Sequence, residues 1–156
     1  MHTRQLIITR PLWFGIGAAA IFAAGCAGMS SSHTAVTLTG SQEVPPVATT
    51  ASGNTDITVE SFKCASAATS SNCPTVFGTV TTAGMNGTAA QIHEGAPGQN
   101  GPVIVSLVRT SDNTWSVPSD TTLTDAQNAA YLAGRFYVTV ASANHARGEI
   151  RAQLRP

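Results

Sequence analysis

The stretch Gly148-Glu149-Ile150-Arg151-Ala152-Gln153-Leu154, near the end of a chain of 156 residues, alternates apolar and polar side chains. A period of two is typical of a β-strand, because successive side chains of an extended chain point to opposite sides of the sheet. We expect one face of this strand to point into a core and the other to make polar contacts with a neighbouring strand. The first face carries Ile150, Ala152 and Leu154, and the second carries Glu149, Arg151 and Gln153.

Short runs of the same kind precede this stretch and are separated by glycine and proline turns. They predict strands at residues 36–39, 55–62, 75–82, 88–93, 103–109 and 135–141. Val103–Arg109 is an almost unbroken apolar run, which predicts a strand that is buried on both faces.

One segment has the signals of a short helix. Thr124 is a typical N-cap, Asp125–Ala133 follows it, and Gly134 is a typical stop. The whole pattern predicts an all-β fold with this one short helix. We expect a Greek-key or immunoglobulin-like β-sandwich or barrel of about seven to eight strands.

The composition excludes one class of function. Charged residues make up 10% of the chain, far below the roughly 25% of an average soluble domain. The formal net charge is +0, and two of the eight basic residues, Arg4 and Arg10, lie close to the N-terminus. The rest of the chain is therefore slightly acidic and has no basic patch that would neutralise phosphates, so we do not expect nucleic-acid binding.

Residues 1–25 have the layout of an export signal, with a basic start, an uncharged apolar run and small residues before a cysteine. The apolar run is about 14 residues long, shorter than the roughly 20 that span a bilayer. Ala23-Ala24-Gly25-Cys26 resembles the bacterial lipobox, although Ala23 stands where Leu is commonest. The lipobox cysteine is diacylated and becomes the new N-terminus, so we expect palmitate and membrane lipid on Cys26. The alternatives are an uncleaved membrane anchor and cleavage by the ordinary signal peptidase.

The residues after the leader extend this prediction. Residues 26–34 are small and polar after the cysteine, and they predict a lipidated tether. An Asp directly after the lipidated cysteine would resemble an inner-membrane retention signal, but this position holds Ala27. The outer membrane is therefore favoured if the cell is Gram-negative. Export places Cys64 and Cys73 in an oxidising compartment, where they form an even pair once Cys26 is lipidated. We therefore predict a disulfide between Cys64 and Cys73.

Four blocks of sequence stand in order along the chain: LTGSQEVPPV at 38–47, AAQIHEG at 89–95 with GQNGPVIV at 98–105, LT at 123–124 with LAGRFYV at 132–138, and GEIRAQL at 148–154. With these blocks, residues 35–156 resemble a CHRD domain, a module named after its repeats in chordin and also found alone in bacterial secreted proteins. The resemblance implies a compact β-sandwich outside the cytoplasm, and it implies no reaction, because the family has no agreed enzymatic activity.

The resemblance also points to histidines. Family members often carry His-x-His in the second block, a histidine after the Tyr-Val-x-Val strand and another before the last block. In this chain those positions hold Gln91 and His93, then Ala141, then His145. A metal site would therefore depend on His93 and His145.

Two hypotheses follow for these histidines. Copper or zinc would need His93 and His145 together with a third ligand, for which Glu94 is the first candidate and Glu149 or Met85 the others. The simpler hypothesis, which we favour, is that His93 hydrogen-bonds to loop backbone and orders the turn from Gly95 to Gly101.

No catalytic constellation is present in the sequence, because no serine stands in a Gly-x-Ser-x-Gly setting and no phosphate cradle is complete. The loop containing Gly95, Gly98, Asn100 and Gly101 is a candidate recognition loop. We therefore expect a non-enzymatic, membrane-anchored, extracytoplasmic module that binds an unknown envelope or extracellular ligand or has an envelope-structural role, without a cofactor. A periplasmic copper- or zinc-binding protein is the first alternative, and a small periplasmic enzyme is the second.

Overall fold

The computed structural model describes residues 35–63 and 72–156. Cys26, the tether and Cys64 lie outside these residues, so lipidation and the disulfide to Cys73 stay predictions. The described elements are β1 Val36–Thr39, a short 3₁₀ helix Gly40–Gln42, β2 Ser52–Thr55, β3 Thr58–Lys63, β4 Asn72–Phe77, β5 Thr79–Ala83, β6 Gly87–Glu94, β7 Val103–Ser106, β8 Val108–Ser111, β9 Thr114–Ser116, α1 Asp125–Leu132, β10 Phe136–Ser142 and β11 Ile150–Gln153.

Nine of the described strands form one antiparallel sheet in the order β7-β6-β10-β11-β1-β2-β5-β9-β8, while β3 and β4 form a separate hairpin. The two edge strands, β7 and β8, are separated in sequence only by Leu107. The Leu107 N–H donates to the Ala90 carbonyl of β6 at 2.9 Å. The chain thus passes from one edge of the sheet to the other in a single residue, and the sheet curls into a nearly closed barrel.

The all-β prediction with one short helix is confirmed, and of the two architectures the barrel is the one observed. The structure has more strands than predicted for two reasons. Three predicted strands are each divided in two, at residues 56–57, at Gly78 and at Leu107, and β9 has no clear strand pattern in its sequence. Gly78 has a φ of +123°, and a Cβ there would lie 2.6 Å from the Cα of Ile57. Only glycine therefore allows the chain to turn from the hairpin into β5.

The core fills the barrel interior and contains the predicted inward face of the last strand. The residues buried there include Leu38, Val80 and Ile92, the residues Phe136, Val138 and Val140 of β10, and the inward face formed by Ile150, Ala152 and Leu154. The prediction that Val103–Arg109 is buried on both faces is wrong, because Val103 and Val108 are 45% and 55% exposed. This run forms the two sheet edges, so only its inward side chains meet the core.

The helix forms as predicted and ends one residue early, at Leu132. The Thr124 hydroxyl accepts from the Gln127 N–H at 3.2 Å, and the Gln127 side chain accepts from the Thr124 N–H at 2.9 Å. This reciprocal pair is a capping box. Gly134 ends the helix with a φ of +68°. No helix in residues 35–63 and 72–156 is long and apolar enough to cross a membrane.

Truncation of Leu38 tests whether the barrel interior stabilises the fold. Leu38 is 0% exposed in a central strand, whereas Leu132 on the helix is 62% exposed. We expect Leu38→Ala to lower the free energy of unfolding by about 2–5 kcal/mol, since it leaves a cavity, and Leu132→Ala to change it by less than about 0.5 kcal/mol. Urea unfolding followed by circular dichroism measures both. Equal effects of the two variants would contradict this core assignment.

Candidate functional site

The outer face of β11 is covered by the loop of residues 95–102. Arg151, whose side chain points to this outer face, is only 1% exposed. Its guanidinium donates to the Gln99 carbonyl at 2.9 Å, to the Asn100 side-chain oxygen at 3.2 Å and to the Gln153 side chain at 3.3 Å. The polar half of the alternating strand is therefore buried beneath a loop that supplies oxygen acceptors for the buried charge.

An aromatic stack lies beside this guanidinium. The Arg151 guanidinium carbon is 3.5 Å from the centre of the Tyr137 ring. The His93 ring stacks on Tyr137 with 4.9 Å between ring centres and 11° between ring planes. His93 and Tyr137 are register partners on β6 and β10, so the pairing of the strands itself aligns the two rings. A desolvated cation–π contact of this kind contributes on the order of 2 kcal/mol.

The hydrogen bond predicted for His93 is present. Its Nδ1 lies 2.9 Å from the Gly101 carbonyl oxygen, and Nδ1 must be the donor because a carbonyl only accepts. The Gly101 N–H in turn donates to the Tyr137 hydroxyl at 3.1 Å. A Cβ on Gly101 would lie 1.7 Å from the Glu94 carbonyl oxygen. Gly101 is therefore required for the loop to approach β6 this closely.

The candidate recognition loop is tied to the barrel at three of its four predicted residues. Gly101 is bound to Tyr137 and His93, the Gly95 N–H donates to the Arg135 carbonyl at 2.6 Å, and Asn100 accepts from the buried guanidinium. Gly98 is exposed, with a φ of +75° and no atom within 4 Å of a built Cβ. A recognition role for this loop stays a prediction, and its exposed tip at Gly98 is the part free to perform it.

Glu43 is a second buried charged group on the same side of the barrel. It is 7% exposed, and the Thr139 hydroxyl donates to its carboxyl through a short hydrogen bond. Burial raises the pKa of Glu43, while the Thr139 hydrogen bond and then the positive charge of Arg151 oppose the rise. A Cβ on Gly148 would lie 2.4 Å from a Glu43 carboxyl oxygen, so glycine at 148 leaves room for this carboxyl.

Two cavities flank the segment Val44–Pro46, and Glu43 lines both of them. The first cavity, of about 330 Å³, lies between this segment and the turn of residues 144–148, with Asn100 at its side. The second cavity, of about 400 Å³, lies between the segment and the loop tip, with Arg151 in its wall. Glu43 and Arg151 thus both lie in the walls of surface cavities, although the two residues are only 7% and 1% exposed.

Comparison with protein-family models gives a match to the CHRD domain over residues 34–154. The chain belongs to the CHRD domain family. That family is generally non-catalytic. Comparisons with curated proteins and with solved structures give no match.

The proposed metal ligands of this CHRD domain have separate partners. Glu94 forms an ion pair with Arg135 at 2.9 Å, and His145 lies in the turn that lines the first cavity. His93 lies beneath the loop, where its Nε2 is buried without a hydrogen-bond partner. In the described parts of the chain no three His, Cys, Asp or Glu side chains come together as metal ligands. Copper or zinc binding stays a prediction that this arrangement does not support.

Four residues of the site were not identified from the sequence, namely Glu43, Tyr137, Thr139 and Arg151. All except Thr139 lie within the blocks that carry the family resemblance. A charged residue at the centre of an alternating strand, as at Arg151, was the available signal. Its burial could not be read from the strand alone, because the covering loop comes some fifty residues earlier in the chain.

Arg151→Ala tests the contribution of the buried guanidinium. The variant removes a hydrogen-bond donor from the Gln99 carbonyl and from the side-chain oxygens of Asn100 and Gln153, so we expect the free energy of unfolding to fall by about 3 kcal/mol. Arg155→Ala removes an exposed arginine from the same end of the chain and should change it by less than about 0.5 kcal/mol. Arg151→Lys keeps the positive charge but lacks the planar guanidinium, so its decrease in the free energy of unfolding should lie between those of the two alanine variants. Urea unfolding measures the free energy of unfolding of all three variants. Equal values for Arg151→Ala and Arg155→Ala would refute a stabilising role for the buried guanidinium.

Two buried carboxyls should give opposite pH dependences of stability. The pKa of Glu43 is raised above its usual 4.5, so its contribution is complete at low pH and is lost as pH rises through the raised value. The pKa of Glu149 is lowered, first by a hydrogen bond from Ser142, so its contribution is lost as pH falls through the lowered value.

Urea unfolding of the wild type, Glu43→Gln and Glu149→Gln at roughly pH 3 to 8 measures this difference. The stability advantage of the wild type over Glu43→Gln should shrink as pH rises, and its advantage over Glu149→Gln should shrink as pH falls. The same trend in both variants would show that one of the two environments is misassigned.

Proposed function

We propose that this CHRD domain is an extracytoplasmic binding module, anchored to membrane lipid through Cys26, that holds its ligand without transforming it. One observation carries the proposal. Glu43 and Arg151 are almost fully buried, yet both line cavities that open to solvent. A ligand that enters these cavities can therefore meet both charged groups, which are already desolvated and held in place.

The chemistry around the cavities supports binding rather than catalysis. Glu43 is the only acidic side chain that lines either cavity in the part of the chain that the structure describes. Acid–base catalysis commonly pairs two titratable groups of different pKa across a substrate. The only candidate second group among the lining residues is His145, which lines the first cavity alone. The general absence of catalysis in the family agrees with a binding role.

The anchor would keep the module close to the envelope. The lipobox resemblance places the lipid on Cys26, and β1 begins at Val36. The intervening chain, fully extended, spans at most about 35 Å. A ligand in or near the membrane surface would therefore lie within reach of the barrel.

Replacement of Cys26 tests the anchor. We expect radiolabelled palmitate to label the wild type and to leave Cys26→Ser unlabelled, because the thioether to lipid needs the thiol. The wild type should fractionate with membranes, and the variant should be lost from them. Cys73→Ser is the matched control and should keep its label. Equal labelling of Cys26→Ser and the wild type would overturn the anchor.

Binding to isolated cell envelopes of the producing organism tests the module. Asn144 is exposed and lines the first cavity, whereas Asn113 is an exposed turn residue that lines neither cavity. We expect full-length wild type in a polyoxyethylene detergent to bind immobilised envelopes, and Asn144→Ala to bind about five-fold more weakly, as the loss of one hydrogen bond predicts. Asn113→Ala should bind like the wild type. An absence of wild-type binding, or equal binding by all three proteins, would overturn the proposal.

A further inference from the structure

A third cavity extends the site along the same end of the barrel. It has a volume of about 460 Å³ and is lined by Met85, Asn86, Asn144 and Glu149 among others. It shares Asn144 with the first cavity, and the first cavity shares Glu43, Val44 and Pro46 with the second. The three cavities therefore adjoin one another, with Val44 and Pro46 between the first two and Asn144 between the first and the third. We call the three together the groove.

The strand register explains why the three cavities lie beside one another. Thr39 at the end of β1 pairs with Arg151 in the first half of β11, and Ser142 at the end of β10 pairs with Gly87 at the start of β6. The segment after β1, the turn between β10 and β11, and the turn between β5 and β6 therefore gather at one end of the barrel. Each of these three segments supplies walls of the groove.

From this arrangement we infer that the ligand is a neutral glycan chain that lies along the groove, an inference that rests on the proposed binding function. Charged side chains of both signs line the groove, two acidic (Glu43 and Glu149) and two basic (Arg147 and Arg151). Opposite charges in equal number give no preference for an anionic or a cationic ligand. The ligand is therefore selected by hydrogen bonding and shape.

The side chains along the groove suit hydroxyl groups. Asn86 and Asn144 each present an amide that donates and accepts, and a sugar hydroxyl also donates and accepts. Pro45 and Pro46 are exposed beside these polar groups and offer compact apolar rings. A sugar has the same two aspects, with hydroxyls at its edge and apolar C–H groups on its ring faces.

An extended peptide fits the groove less well. Peptides that lie along a β-protein are commonly held by strand addition, which needs the free backbone of an edge strand. The edges of this sheet are β7 and β8, and neither strand contributes a lining residue to any of the three cavities. The walls come from turns and loops, which leaves side chains as the main recognition groups.

Selective destruction of envelope components tests the ligand class. The full-length chain in the same sugar-free detergent is incubated with immobilised envelopes that are untreated, digested with protease, or oxidised with periodate and then quenched. Periodate cleaves vicinal diols, so we expect binding to survive protease and to be lost after periodate. Any other pattern overturns the glycan inference, whereas in this experiment the binding module itself is overturned by a failure of untreated envelopes to bind.

Variants at two positions along the groove test its length. With long glycan fragments released from protease-digested envelopes, Asn86→Ala and Asn144→Ala should each weaken binding about five-fold, the effect of one lost hydrogen bond. Asn113→Ala should leave binding unchanged. Weakening by Asn144→Ala alone would confine the ligand to the first two cavities and overturn an extended groove. If neither variant differs from Asn113→Ala, the glycan site lies elsewhere and the inference fails.

Discussion

The burial of one guanidinium on the outside of the barrel is the constraint on which the site depends. A charge that is removed from water must be given acceptors, and Arg151 finds them in the Gln99 carbonyl and in the side chains of Asn100 and Gln153. These contacts hold the loop of residues 95–102 against β11. Burial lowers the pKa of Arg151, and Tyr137 and Glu43 oppose this effect, so the surrounding polar and aromatic groups favour the charged form.

The loop and the strands determine each other's geometry. His93 and Tyr137 are aligned by the register of β6 and β10, and both are bound to Gly101 of the loop. The loop also reaches the segment after β1, because the Asn100 side chain donates to the Val44 carbonyl at 2.7 Å. The wall between the first and second cavities is therefore attached to the same network that satisfies the buried charge. The cavities are pre-formed, which reduces the entropy that binding would cost.

Glu43 and Arg151 oppose each other in charge, and no ion pair between them is found among the described side chains. The carboxyl is bound by Thr139 and the guanidinium by the loop. Burial therefore acts on each group in the direction of its neutral form, and their mutual attraction opposes it only partly. Two charged groups that are each held by neutral partners can still interact with a ligand. This arrangement distinguishes the site from a closed structural ion pair.

Local sequence patterns predicted much of the fold. The alternation in residues 148–154 predicted an inward face that the core contains, and Thr124 with Gly134 predicted the helix that forms. These signals are local because side-chain direction in a strand and capping of a helix depend on neighbours in sequence. The breaks at Gly78 and Leu107 were missed, because a chain that leaves one strand and enters the next after a single residue can have the same composition as one continuous strand.

The amino-acid sequence by itself therefore determined the all-β class, the helix, the family blocks and the hydrogen bond of His93 to the following loop. Only the tertiary structure decided that the polar face of β11 is buried, that Glu43 lines two cavities, and that Glu94 pairs with Arg135 rather than joining the histidines. The physical reason is sequence separation. Burial of Arg151 and Glu43 depends on segments about fifty and a hundred residues away. A local sequence pattern does not show which distant segment covers a given residue.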